Sequence, residues 1–201
     1  MRITIQEVVD RQDGLAPETF ALGAVRREPD CDPSSGLGLF IRETHDMLLR
    51  LQSVVLKEQT ALFLKSAVRC QGCGERLATK TTRSLVYRTA FGKVKLDSPQ
   101  LYCRCAHCAV AAYEGATFNP LAVALPERSH PQWVWLQCRY ASDMSYRLAR
   151  IILRDAFPGG ADVAASSVKL NVRVIGERLE QEVQVAIQRT ADRYQLRLDL
   201  Q

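Results

Sequence analysis

An α+β fold is what this sequence predicts, on three observations. Residues 39–66 carry a helical period with neither Gly nor Pro, five of seven cysteines fall in two short runs flanking a stretch of alternating residues, and from residue 120 onward the period is helical again. A long helix toward the N-terminus, a small cysteine-pinned antiparallel sheet and a bundle of three helices follow. With 201 residues, 47% of them hydrophobic, the chain suits one domain or two small ones. The composition shifts divide it into 1–68, 69–118, 119–185 and a tail, 186–201.

The first residues alternate as "RITIQ", which fits a short strand, and the Pro-, Gly-, Asp- and Ser-rich "REPDCDPSSGLG" that follows later reads as a loop. In "LFIRETHDMLLRLQSVVLKEQTALFLKS", Leu48, Leu51, Val55 and Leu62 recur at helical spacing. Packing against its own domain is the expected role of this long amphipathic helix, and pairing in a homodimer is the alternative. No run reaches the 18 or so apolar residues that cross a bilayer, and "MRITIQEVVD" has no basic start followed by an apolar stretch. A cytoplasmic protein that does not bind membranes is expected. In that reducing compartment clustered cysteines serve as metal ligands more often than as disulfides, and an odd total agrees.

Cys70-Gln71-Gly72-Cys73-Gly74 has the chemistry of a metal knuckle: two thiolates two residues apart grip one ion, and the glycines allow a tight turn whose N–H groups point at sulfur. Cys105-Ala106-His107-Cys108 repeats the spacer. Cys70, Cys73, Cys105 and Cys108 are therefore the expected ligands of one structural zinc ion in a zinc-ribbon-like module. Cys103, two residues before Cys105, competes for a place, and His107 does so less strongly. Cys105 is preferred because both knuckles then share one local geometry. Four thiolates leave no open coordination position, so the site would carry structure and no reaction. A redox use of the C-x-x-C pair would need a strand and helix around it, where the sequence offers a loop and strands. Cys31 and Cys138 stand apart.

Between the knuckles, "LVYRTAFGKVKLDSPQLYC" alternates, with Val94 and Leu96 on one face and Lys93 and Lys95 on the other. Gly92 and Asp97-Ser98-Pro99 mark turns, so that a three-stranded insertion is expected. Charge is uneven along the chain. Residues 69–108 hold eight Lys and Arg against two Asp and Glu, net +6, whereas residues 1–68 are net −2 and residues 109–201 net +1. A cationic block of this kind suits a polyanion, nucleic acid ahead of a membrane surface.

After residue 120, "PQWVWLQCRYAS", "MSYRLARIILRDAF" and "SSVKLNVRVIGERLEQEV" read as three helices, the second ending at Pro158-Gly159-Gly160 and the third capped by Ser166 or Ser167. In the third, Val168, Val172, Ile175, Leu179 and Val183 form a stripe with Lys169 and Arg173 on a neighbouring face. A helix-turn-helix-like DNA reader needs this arrangement. Lys169, Asn171 and Arg173 would then approach bases while Arg147, Arg150 and Arg154 meet phosphates. The tail "DRYQLRLDLQ" alternates and is expected to be a strand.

The run "YRTAFGKVKLDSPQLYCRC" and the segment from "FNPLAVALPERSHPQ" through "VIGERLE" resemble the N-terminal part of ISKra-type insertion-sequence transposases. Phe91-Gly92, Pro120-Leu121, Leu125-Pro126-Glu127-Arg128, Ala141-Ser142 and Met144-Ser145-Tyr146 carry the resemblance, which covers about residues 65–180. It implies that the cysteine module and the helical triplet recognise double-stranded transposon-end DNA. It also implies a following RNase H-like domain whose acids bind magnesium. After Glu182 only 19 residues remain, with Asp192 and Asp199, too few to gather three carboxylates around two ions. The expectation is a zinc-stabilised DNA-binding protein that is not an enzyme and takes no small-molecule substrate; a transposase-derived protein–protein adaptor in a larger assembly is the alternative.

Overall fold

The computed structural model describes residues 2–12, 14–27, 37–70, 72–105, 108 and 117–198, with the backbone alone for 161–162 and 191–198. Helices and two small antiparallel sheets make it a mixed α and β protein. The chain divides into two compact units, one of residues 1–130 with 157–159, the other of 131–156 with 160–201.

In the first unit a hairpin opens the chain, so the long helix is its third element. Strands β1 (Arg2–Val9) and β2 (Glu18–Arg26) pair antiparallel, with Ile5 opposite Gly23 and Gln6 opposite Ala21. Leu22 is the extra residue of the resulting bulge and is buried. Helix α1 (Ile41–Ser66) packs on β2, and Met47 lies so near Gly23 that a Cβ there would be 3.1 Å from its Cγ. Two ion pairs hold this hairpin to α1. Arg11 Nε donates to Glu58 at 2.6 Å. Arg27 donates through both terminal nitrogens to Glu43, at 2.8 and 2.7 Å, and lies 4.4 Å from the centre of the Phe40 ring. Glu43 in turn accepts the N–H of Phe40, capping the first turn of α1. Arg27 first, then that N–H, hold the Glu43 carboxyl down at about 2.

The second sheet is one hairpin of β3 (Ala78–Thr89) and β4 (Gly92–Tyr102), two strands where three were expected. Gly92 does mark the turn: its φ is +137°, and Thr89 closes the loop by donating to Gly92 O and accepting from Phe91 N–H. Asp97-Ser98-Pro99 is no turn but the middle of β4, opposite Ser84, Arg83 and Thr82. A two-stranded sheet has only edge strands, so Pro99 costs no interior ladder bond. The alternation of 93–96 appears as expected, with Val94 and Leu96 buried and Lys93 and Lys95 exposed. Leu85, Tyr87, Val94 and Leu96 form the core with Leu121 of the short helix α2 (Pro120–Ala124), and Leu56 and Leu64 of α1 pack against it. Ser98, fully buried, accepts the N–H of Leu121, and Asn119 accepts that of Ala122, so α2 is fixed on the sheet at its first turn.

The second unit holds α3 (Pro131–Asp143), α4 (Tyr146–Ala156) and α5 (Ala165–Leu198). A 3-10 turn, Pro158–Asp162, lies between α4 and α5 in sequence. Its core is Trp133, Val134, Ala149, Leu153, Val163 and Val168. Helix α5 runs through the region expected to be a strand: "DRYQLRLDLQ" is helical to Leu198. Nothing after Glu177 breaks a helix, and residues rich in Glu, Gln, Arg and Leu outweigh six positions of alternation. Ser166 and Ser167 lie inside the first turn of α5 and do not cap it.

Candidate metal centre

The knuckle after α1 is shaped by backbone bonds. Cys70 N–H donates to Glu75 O at 2.9 Å and Gly74 N–H to Cys70 O at 2.9 Å, with Gly74 at φ +74°. Leu77 N–H to Val68 O closes the loop and delivers the chain into β3. On the other side β4 ends at Tyr102, and reciprocal bonds between Leu101 and Phe118 pin its last turn of ladder. Leu77 and Leu101 are buried under the cysteines, a small apolar floor that Cys70 and Cys108 complete.

Four sulfur atoms meet above that floor: those of Cys70, Cys73, Cys103 and Cys108, all within 4.8 Å of one another. Cys70 Sγ lies 3.6 Å from Cys108 Sγ, and Cys73 Sγ 3.5 Å from Cys103 Sγ. A tetrahedron with metal–sulfur bonds of about 2.3 Å has edges of about 3.8 Å, so the set needs little adjustment to close on an ion such as zinc. Cys70, Cys73 and Cys108 are placed as the sequence led us to expect. Cys105 is not: Cys103 takes its position.

The reason is local. A knuckle sulfur accepts N–H groups two or three residues after it. The Cys70 sulfur is held by the N–H groups of Cys73 and Gly72, the Cys73 sulfur by that of Glu75, and the Cys103 sulfur by that of Cys105, at 3.5 Å. Cys105 thus serves Cys103 through its backbone, while its own half-buried side chain packs on the apolar floor. Its carbonyl then accepts Cys108 N–H at 3.3 Å, turning the chain so that Cys108 faces the same point. The other competitor, His107, lies outside the described residues, as does Cys31.

These bonds prepare thiolates unevenly. The N–H groups of Cys73 and Gly72 bring the Cys70 thiol down to about 6. For Cys73 the Glu75 N–H lowers, yet burial and the neighbouring thiols outweigh it and push the group up to about 12. Cys103 is raised as well: against the lowering by the Cys105 N–H and the Cys73 thiol stand burial and the Cys70 and Cys108 thiols. Four crowded sulfurs do not all ionise unaided, and a soft dication in their midst is what favours the fully deprotonated set.

Among residues expected to touch DNA, Lys93 and Lys95 are exposed on β4. Arg88, overlooked from sequence, stands opposite Lys93 on the same outward face, and Lys80 and Arg83 are exposed further along β3. Register was the missing information: alternation assigns a face within one strand but not its cross-strand neighbour. In the second unit Arg147, Lys169 and Arg173 are exposed, Arg173 beside Glu177 at 3.5 Å. Arg154 pairs with Asp155.

Two of the residues expected at DNA have hydrogen-bond partners within their own unit. Arg150 donates to Val163 O at 3.0 Å and is half-buried, holding the entry to α5. Asn171 donates to Gln137 Oε1 at 2.9 Å, satisfying a side chain that is only 2% exposed. No protein-family model, no curated protein and no solved structure matches this chain.

Proposed function

We propose that this chain is a zinc-stabilised protein that binds double-stranded DNA, as the N-terminal part of an ISKra-type transposase would bind a transposon end. The observation that carries the reading is a row of cations, Arg88, Lys93 and Lys95, on the outward face of the hairpin whose far end bears the four sulfurs. A two-stranded ribbon is narrow enough for the major groove, and ammonium or guanidinium groups along it meet phosphates. In this reading the cysteine cluster takes the role of a zinc ribbon, fixing the cationic ribbon where too small a core would leave it marginal. The second unit takes the role of a helix-turn-helix-like module, with Lys169 and Arg173 at the base-reading surface and Arg147 at phosphates. The exposed Arg173–Glu177 pair is weak and its guanidinium exchanges readily to a base or phosphate.

The proposal is binding without cleavage. Among the described residues the one cluster of metal-ligating side chains is made of cysteines, which suit structural zinc and not the carboxylate-held ions of strand transfer.

A mobility-shift titration on DNA flanking the gene, at several salt concentrations, is the test. The shift is expected to weaken steeply with salt as phosphate contacts release counterions. Lys93→Ala should weaken binding to all sequences alike, whereas Arg173→Ala should do so in a sequence-dependent way. A zinc-loaded chain that leaves DNA unshifted at low salt would refute the reading and favour a protein adaptor. Magnesium-dependent nicking would refute the non-enzymatic part of it.

A further inference from the structure

We propose, independently of the DNA-binding reading, that the middle of α5 is a self-association surface whose occupant is the same stretch of a second copy of this chain, running antiparallel. Helix α5 is 34 residues, roughly 51 Å at 1.5 Å per residue. Its first turns are used at home: Val168 is buried and Val172 and Ile175 are half-buried in the second unit. From Glu177 to Thr190 every residue is exposed. A helical stretch of that length with no packing is marginal in water, because most helices draw their stability from a covered face.

The uncovered face continues the covered one. Val172, Ile175 and Leu179 are followed by Val183, Ala186 and Thr190, in steps of three, four and four residues that begin again after eleven. An eleven-residue period is 3.67 per turn, close to the helix's own 3.6, so the stripe runs nearly straight along the axis and does not wind away. Leu179 and Val183 are each more than half exposed, as is Ile187 at the stripe's margin. Thr190 belongs to the stripe without adding polarity to it: its hydroxyl donates to Ala186 O at 2.9 Å.

Self-complementarity selects the occupant. In an antiparallel pair that sets Val183 against Ala186 of the other copy, Leu179 falls against Thr190, and both layers recur by symmetry. Each large residue then meets a small one. A parallel pair would stack Ala186 on Ala186 and leave a gap between the Val183 and Thr190 layers. The antiparallel register also brings Glu182, beside the stripe, to within about two residues of Arg189 of the other copy, twice over, at flanking positions of the kind that set partner and orientation in helix pairs.

Sedimentation equilibrium of the full zinc-loaded chain across the micromolar range, without DNA, tests this. A dimer is expected. Val183→Glu should raise its Kd by about a hundredfold or more, since two copies lose an apolar contact and gain a buried charge. Val185→Glu, on the opposite side of the helix, should leave it unchanged. Glu182→Arg and Arg189→Glu should each weaken the dimer roughly fivefold, and the two together should restore it. Val183 is more than half exposed, so unchanged helix content and an unchanged melt of the second unit would confirm that the variants fold. A monomeric wild type, or a dimer indifferent to Val183→Glu, would overturn the proposal. Failure of the double charge exchange to restore the dimer would overturn the antiparallel register. Since no nucleic acid is present, either failure is separate from that of the DNA-binding reading.

Discussion

Replacing Cys103 by Ser and, separately, Cys105 by Ser divides the two assignments of the metal site. Cys103 Sγ sits 3.5 Å from Cys73 Sγ inside the four-sulfur group, whereas Cys105 contributes its N–H to that sulfur and its side chain to the apolar floor. A structural zinc ion binds with about 10 kcal/mol or more of apparent free energy, comparable to the whole stability of a small domain. Losing one of four thiolates therefore removes most of what holds the 70–77 loop to the end of β4. For Cys103→Ser we expect zinc content to fall from about one ion per chain to a small fraction, and the first unit to melt at much lower temperature. Cys105→Ser keeps its backbone N–H, so zinc stays at about one per chain and the cost is that of a polar atom on the apolar floor, about 1 kcal/mol. Metal analysis by mass spectrometry and thermal melting by circular dichroism read both quantities. Zinc retained in Cys103→Ser and lost in Cys105→Ser would refute the assignment and the rule of N–H donation behind it.

Gly92→Ala should destabilise the first unit by about 2–4 kcal/mol, since its φ of +137° strains any side chain and the added Cβ would lie 2.4 Å from Leu49 Cδ1; urea unfolding that moves by less than the error of the midpoint would contradict this. Acid stability should depend on Glu43. Its carboxyl is ionised down to about 2 in the fold, against an ordinary value of 4.5, so the stability contributed through Arg27 is complete above pH 4.5 and is lost as pH falls toward 2. Glu43→Gln should remove that part of the slope, and comparison with the wild type cancels the loss of zinc common to both; parallel stability curves between pH 2 and 5 would show that the pair is not linked to folding.

What was legible in the sequence was what depends on near neighbours. The α1 helix could be read because 26 consecutive residues lack a breaker, and the burial of Val94 and Leu96 because a strand's faces alternate without reference to anything else. The second strand of the N-terminal hairpin escaped notice: Leu22 sits in a bulge, so the alternation of "ETFALGAVR" is broken at its middle. Asp97-Ser98-Pro99 was misread because turn residues are also tolerated on an edge strand. The bond from Asn171 to Gln137 could not be foreseen, since the two lie 34 positions apart in sequence. The cysteines occupy a middle ground. Spacing alone found three ligands, but the fourth is the sulfur that the end of β4 delivers to the group, Cys103, and a repeated spacer of two concealed that.

Why the hairpin should need metal at all follows from its proportions. Strands β3 and β4 run side by side for 11 or 12 residues, yet the apolar face offers only Leu85, Tyr87, Val94 and Leu96 to α1 and α2. That core covers the half of the ribbon near the Gly92 turn. At the open end β3 is exposed from Thr79 to Ser84, and Lys80 and Arg83 there would add mutual repulsion to any fraying. An isolated hairpin end is marginal even without like charges. Sulfur atoms from both sides of the open end, Cys70 and Cys73 before β3 and Cys103 and Cys108 after β4, join the two ends of the ribbon where the core does not reach. Stability supplied from a metal would leave the outward face near the Gly92 turn to Arg88, Lys93 and Lys95. An apolar core large enough to do the same would have to cover part of that face.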